Sequence, residues 1–327
     1  MSESEHQAGG QTSRWRSALP ALGIVVAAAL LCFFLLEWGD GPGTVGSLVF
    51  LVILPAALSA FLCLLIIPDS SESALPYFLI PVGLVAVAVI VGMVALGEAL
   101  ICVLLLSPLW LFAGWAGALY AHGLRSRRRG RNRLHASILL LIPFLALQVE
   151  QSVPRSWEER EVTRSIDIPA PPERIWPMLV SIADIRPHEG RWNVSQDLIG
   201  IPRPLSAAIR RDGEQARRLA RWSEEVHFEE IVRTLVRNER LTWTFHFPDD
   251  SLRARTDRHI SPRGDNLDVR TGSYRLVPLG NGNTRLILTT RYRLRTPLND
   301  YSALWGELFL GDIQNNILAV IADRARA

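Results

Sequence analysis

Apolar residues follow two different rhythms along this chain, and the rhythm changes near residue 150. Before that point they come in long unbroken runs, Ala18–Leu36, Val45–Ile67, Tyr77–Leu96 and Ala99–Tyr120. Each run approaches the roughly 20 residues that a helix needs to cross a bilayer core. The spacing predicts an N-terminal tail over residues 1–17, a four-helix transmembrane region over 18–122 and a basic loop over 123–134. A fifth run, Ala136–Val149, contains Pro143 and is short for a span. Extended over residues 135–153, it gains the missing length.

Beyond residue 150 the period falls to two. Val162, Arg164, Ile166 and Ile168 alternate with Thr163, Ser165 and Asp167, then meet a Pro-rich turn and a helix opened by Pro171, Pro172 and Glu173. Leu241, Trp243, Phe245 and Phe247 alternate with Thr242, Thr244 and His246. Val269–Leu279 and the strand carrying Leu286, Leu288, Thr290, Tyr292 and Leu294 flank Asn281-Gly282, a hairpin signal. Glu225–Val236 reads as another strand, turned at Asn238-Glu239. One apolar face per strand argues for an antiparallel sheet covered on one side. From Leu298 to Arg324 the period becomes helical, with Tyr301, Leu304, Trp305, Leu308, Phe309, Ile313, Ile317, Val320 and Ile321 on one stripe. That stripe needs a partner, and the apolar face of the sheet is available.

Charge settles some alternatives. Residues 1–149 hold eight Arg and seven acids, and residues 150–327 hold 27 Arg and 25 acids, so both parts are nearly neutral. The interspersed charges give no nucleic-acid footprint. Six arginines between Arg125 and Arg133 place that loop in the cytoplasm, as Arg14 and Arg16 do for the N-terminus. Four crossings connect the two. No small-residue cleavage site follows the first run, so it reads as an uncleaved anchor. Glu98 reads as a solvated hairpin tip, and Gly114 with Ala118 as a small-residue helix contact. The basic N-side and acidic C-side flanks of the fifth run favour crossing, which would put the following domain outside the cytoplasm; a helix lying along the interface would keep it inside. The absence of lysine and the wealth of Ala, Leu, Gly and Arg suggest a GC-rich bacterial genome, and with the apolar runs the expectation is a multi-pass protein of the bacterial inner membrane. Cys32, Cys63 and Cys102 all sit in apolar runs, leaving neither a disulfide framework nor a zinc site.

The order strand, short helices, antiparallel strands, long C-terminal helix, together with Ser165-Ile-Asp-Ile-Pro-Ala-Pro-Pro-Glu-Arg-Ile-Trp176, Gly272–Pro278, Thr284–Thr290 and Tyr301–Arg324, resembles the SRPBCC superfamily over residues 160–326. That superfamily includes START-type lipid carriers and polyketide cyclase/dehydrases. The resemblance implies an α+β helix-grip domain, a curved antiparallel sheet around the C-terminal helix with a deep apolar cavity between them, here joined to an α-helical transmembrane region. It implies a hydrophobic small molecule or a lipid as ligand, with the bilayer as neighbour and no cofactor.

Trp243, Tyr274, Tyr292, Tyr301 and Trp305 are the candidate ligand-binding residues; the first three and Trp305 fall on inward faces, and phenol hydroxyls anchor apolar ligands. The same aromatics also suit plain core packing. His188-Glu189 and His227-Phe-Glu-Glu230 are the best acid–base candidates. Val226, Phe228 and Val232 claim the apolar face, which turns His227 and Glu229 toward solvent. No nucleophile elbow, phosphate loop or dinucleotide fingerprint occurs. Three readings stay open: a membrane-anchored carrier, a cyclase/dehydrase- or hydrolase-type enzyme in the same cavity, and a non-catalytic sensor or scaffold. An inward carboxylate or histidine would favour the enzyme.

Overall fold

The computed structural model describes residues 3–38, 46–68, 73–95, 100–127, 132–186, 188–212, 215–224, 226–249 and 261–326. Glu98, the turn at Gly39–Gly43 and the centre of the arginine loop lie outside them. The chain forms two units, Met1–Pro154 and Arg155–Ala327.

The first unit is helical. Helix α1 spans Glu3–Glu37, a π-helical turn Val49–Ile53 leads into α2 (Leu54–Ile66), and α3 (Leu75–Ala95), α4 (Leu100–Arg127) and α5 (Asn132–Glu150) follow. The π turn precedes Pro55, whose ring crowds the turn before it and has no N–H to donate. Leu19–Glu37, Val49–Ile66 and Leu75–Val94 are long and apolar enough to cross a membrane, on length and composition. The fourth expected run falls in α4 from Leu100 onward, and Ala99 lies outside the described residues. The core gathers around α2 through Leu54, Leu58, Phe61 and Leu62. By contrast Leu31, Leu35, Phe78, Leu79 and Val94 of α1 and α3 are exposed. Gly114 lies against Pro81, and Ala118 is buried.

Opposite charges hold the two ends of α2. At the N-terminal end, Glu150 from the last turn of α5 accepts hydrogen bonds from Ser47 Oγ at 2.7 Å and from the N–H groups of Leu48 at 2.5 Å and Val49 at 3.3 Å. At the C-terminal end, Arg125 from the last turn of α4 donates to the carbonyls of Leu64 at 2.8 Å and Pro68 at 3.3 Å. Each charge complements the helix dipole beside it. The C-terminal ends of α4 and α5 therefore sit at opposite ends of α2.

Among the described residues the second unit is one eight-stranded antiparallel sheet with two α-helices and a π-helical turn at Val194–Leu198. Its strands are β1 (Glu158–Ile168), β2 (Ser181–Ile182), β3 (Ser206–Asp212), β4 (Gln215–Arg221), β5 (His227–Val236), β6 (Arg240–His246), β7 (Leu267–Gly280) and β8 (Asn283–Leu294). Helix α6 (Pro172–Val180) follows β1, and α7 (Asn299–Arg326) closes the chain. The sheet order is β1-β8-β7-β6-β5-β4-β3-β2. Asn281 and Gly282 both take positive φ, as the expected tight β7–β8 turn requires. Register shifts at Val232/Thr234 in β5 and Val269/Thr271 in β7 bend the strands.

Leu318, Val320, Ile321, Ala322 and Ala325 of α7 share one core with Leu241, Tyr274 and Leu286 of the sheet and Ile175 and Leu179 of α6. A curled antiparallel sheet gripping a long C-terminal helix is the helix-grip architecture expected from the order of elements. Two details differ from that expectation. The β3–β4 hairpin had no apolar signature, because its residues include Arg210, Arg211, Arg217 and Arg218. The helical stripe is also buried unevenly: the C-terminal half of α7 is enclosed, whereas Leu304 near its start is 69% exposed.

Candidate ligand cavity

A cavity of about 100 Å³ lies between α7 and the concave face of the sheet. It opens where the sheet presents small side chains. Ser206 and Ala207 of β3 and Ala220 of β4 face Ile313, Ile317 and Ile321 of α7, and no large residue fills the gap. Most of the wall is apolar, completed by Trp222, Phe245 and Leu288 among others.

Into this wall the fold places an ion pair. Arg218 of β4 and Glu230 of β5 are direct cross-strand partners. The Arg218 Nη1 donates to Glu230 Oε2 in a short hydrogen bond, and both side chains are 6% exposed. The Arg218 guanidinium carbon is 6.0 Å from the Trp243 ring centre and 5.9 Å from that of Tyr274. Burial pushes the Glu230 carboxyl above its ordinary value, with Arg218 opposing. Burial also raises the Tyr274 hydroxyl to about 12, although Arg218 hydrogen-bonds it.

Three buried polar atoms in the cavity-lining residues have no partner: Arg218 Nε, Trp243 Nε1 and Gln314 Oε1. The orientation of the Gln314 amide follows from its other end. Its Nε2 donates to the Val162 carbonyl and to Thr290 Oγ1, both at 3.0 Å, and a carbonyl can only accept. All three atoms are packed against their neighbours. Trp243 has its place because β7 carries glycine opposite it; a Cβ on Gly272 would lie 2.3 Å from the indole ring.

Of the aromatic residues singled out in the sequence, Trp243 and Tyr274 line the cavity. Tyr292 stands outside it, packed in a satellite cluster with Val162 and Leu294 and with its hydroxyl against Gly306 of α7. Tyr301 and Trp305 also stand outside, edge to face along the first turns of α7 with ring centres 6.3 Å apart. His227 and Glu229 face outward, to Asp249 at 3.2 Å and Arg217 at 3.0 Å. Glu189 is bound by Arg324 at 2.7 Å, and His188 is exposed. Among the described residues no group of three or more His, Cys, Asp or Glu is arranged to hold a metal.

Sequence reasoning missed Arg218 and Gln314, and it named Glu230 only as the end of the His227–Glu230 candidate run without turning it inward. For Glu230 a signal existed: it shares the parity of Val226, Phe228 and Val232, so the apolar face of β5 carries an acid. That is the inward carboxylate the enzyme reading required.

No family model matches the chain, and no curated protein does. Solved structures resemble about half of it. A protein from Thermus thermophilus is 18% identical over 51% of this chain and 97% of its own, with a TM-score of 0.31. An aromatase/cyclase from Streptomyces is 14% identical over 52% and 95%, at 0.32. Norcoclaurine synthase from Thalictrum flavum is 11% identical over 52% and 97%, at 0.31. At these scores the likeness carries no argument about activity, and the helix-grip assignment rests on the strand order and α7.

Proposed function

We propose that the second unit binds a compact hydrophobic small molecule in the helix-grip cavity, and that the first unit anchors it to a membrane. The cavity carries this reading: its wall is mostly apolar, small side chains of β3 and β4 leave the void open, and one buried ion pair sits in the lining. At about 100 Å³ the void suits a single ring or a short chain better than a whole lipid, since pockets for drug-sized ligands run to roughly 300–1,000 Å³.

Anchoring is supported by the three apolar helices and by the exposed leucines and phenylalanine on α1 and α3, which water penalises and acyl chains do not. The contacts at the ends of α2 favour a crossing by α5. Its 19 residues rise about 28 Å, close to the thickness of a bilayer core. Its C-terminus lies at the end of α2 opposite to Arg125. On this reading the arginine loop is cytoplasmic and the second unit is extracytoplasmic. A reporter fused to the C-terminus that is active only in the cytoplasm would overturn that orientation.

The binding reading is tested by native mass spectrometry of the purified full chain. A small molecule should accompany the wild type and the Leu304→Ala surface control, and be lost from Ala220→Leu, which fills the void. Equal occupancy in Ala220→Leu would reject the site.

Glu230 favours a second reading, an enzyme in the same cavity. A buried carboxyl whose pKa is raised by burial suits proton transfer. Conversion of a bound molecule that stops in Glu230→Gln, with binding retained, would establish it.

A further inference from the structure

The apolar stripe of α7 is covered along only part of its length. At 3.6 residues per turn Tyr301, Leu304, Trp305 and Leu308 fall on one side of the helix, in line with Asp312 and Asn316. Around Asp312 and Asn316 a loop lies over that side. Asp312 accepts hydrogen bonds from the N–H of Ser195 at 3.0 Å and from its hydroxyl at 2.7 Å, and Asn316 accepts one from the N–H of Arg191 at 2.9 Å. About one to three turns earlier, Leu304 is largely exposed, and Tyr301, Trp305 and Leu308 are only half-buried. The rings shield one another there, Trp305 stacking on Phe309 at 5.8 Å. The sheet is met by the other side of the helix, where Ala303 and Leu310 pack with Val162, Tyr292 and Leu294. The acids of this half stand off the stripe, Asp300 paired with Arg160 at 2.8 Å and Glu307 with Arg164 at 2.7 Å. A contiguous exposed apolar stripe of this kind marks an interaction surface.

Its place in the second unit says what covers it, given that the first unit is anchored in a membrane as proposed above. Residues 151–157 alone separate the end of α5 from the start of β1, and a stretch of that length reaches at most about 25 Å. β1 begins beside the start of α7, where Arg160 meets Asp300. Trp157 lies at the same end, its ring centre 4.4 and 4.7 Å from the guanidinium carbons of Arg293 and Arg295. Both arginines are paired, with Asp268 and Asp265, so the attraction of this end is apolar and aromatic rather than electrostatic. The chain thus ties to α5 the end of the unit that carries Tyr301, Leu304 and Trp305, and tryptophan and tyrosine favour the level of the lipid headgroups. We infer that the first half of α7 lies on the bilayer surface, with Leu304, Trp305 and Leu308 entering the boundary between headgroups and acyl chains. The helix that walls the cavity from Leu310 onward is then held at the membrane by its first turns.

A bimane fluorophore tests this on the full chain in phosphatidylcholine nanodiscs, with and without lipid that carries a nitroxide just below the headgroup. Single cysteines are placed by Leu304→Cys, by Leu79→Cys on the exposed side of α3 and by Asn283→Cys, each in a background with Cys32, Cys63 and Cys102 replaced by Ala. Asn283 is exposed at the far end of β8, roughly 35 Å along the strand from Leu294. The nitroxide should remove most of the emission of the Leu79→Cys and Leu304→Cys labels and leave that of Asn283→Cys unchanged. Adding Leu308→Glu should restore the emission of the Leu304→Cys label. Quenching at Leu79→Cys alone would overturn the docking of α7 and leave the anchor standing; a disulfide between the Leu304→Cys thiols of two copies would then give the face to a second copy. Quenching of all three labels would overturn the assignment of α7 as the docking face. No quenching at Leu79→Cys would reject the anchor, and this inference with it. If the cysteine-free background fails to fold, the emission lost in Trp305→Phe serves as the probe, and brominated lipid should quench it.

Discussion

Two arginine–carboxylate pairs in this sheet have the same construction and opposite surroundings. Arg291 and Glu161 face each other across β8 and β1, and Arg218 and Glu230 across β4 and β5. The first pair is on the outer face with side chains 66% and 54% exposed, and the second is on the inner face at 6% each. Water screens the outer pair, so its attraction is offset by the entropy of ordering two long side chains. The inner pair has given up water, and each partner is tolerable only because the other is there. Identical chemistry is therefore surface texture at one site and a determinant of the interior at the other.

The comparison can be broken by removing one member at a time. Glu230→Ala leaves Arg218 charged in an apolar wall and should cost about 3–5 kcal/mol, read as a lower denaturant midpoint. The next effect in size is expected at Gly272→Ala, where a Cβ meets the indole of Trp243. Overpacking of this kind costs about 1–3 kcal/mol, and the fluorescence of Trp243 should shift with it.

A partly exposed pair gives an intermediate case. The hydrogen bonds from Arg324 hold the Glu189 carboxyl down at about 2, with a backbone N–H assisting and burial opposing. A depressed folded-state pKa contributes stability that is present above the unfolded value of 4.5 and lost as the pH falls toward 2. Thermal melts of the wild type should therefore lose more between those two pH values than melts of Glu189→Gln. The smallest effect is predicted for Arg291→Ala, whose denaturant midpoint should match the wild type.

The same contrast explains what was legible in the sequence. The β7–β8 hairpin announced itself by alternation and by Asn281-Gly282, because large side chains on one face and a turn with positive φ leave a local mark. Helix α7 was readable for the same reason. The β3–β4 hairpin was not, because its inner face carries Ala207, Arg218 and Ala220 in place of bulky apolar residues. Those small residues are what open the cavity, so the site lies where the apolar pattern is weakest. Trp243 and Tyr274 were legible as inward aromatics, whereas the separation of Tyr292, Tyr301 and Trp305 from the void depends on where α7 crosses the sheet. Glu230 had the parity of an apolar face and the chemistry of a surface residue, and burial resolved the conflict.

The central claim is that the second unit holds a small molecule in the cavity between α7 and the sheet. Native mass spectrometry of the purified full chain tests it most directly. The account predicts a co-purifying small molecule in the wild type and its loss from Ala220→Leu, in which a larger side chain fills the void. Equal occupancy in the two proteins would contradict it.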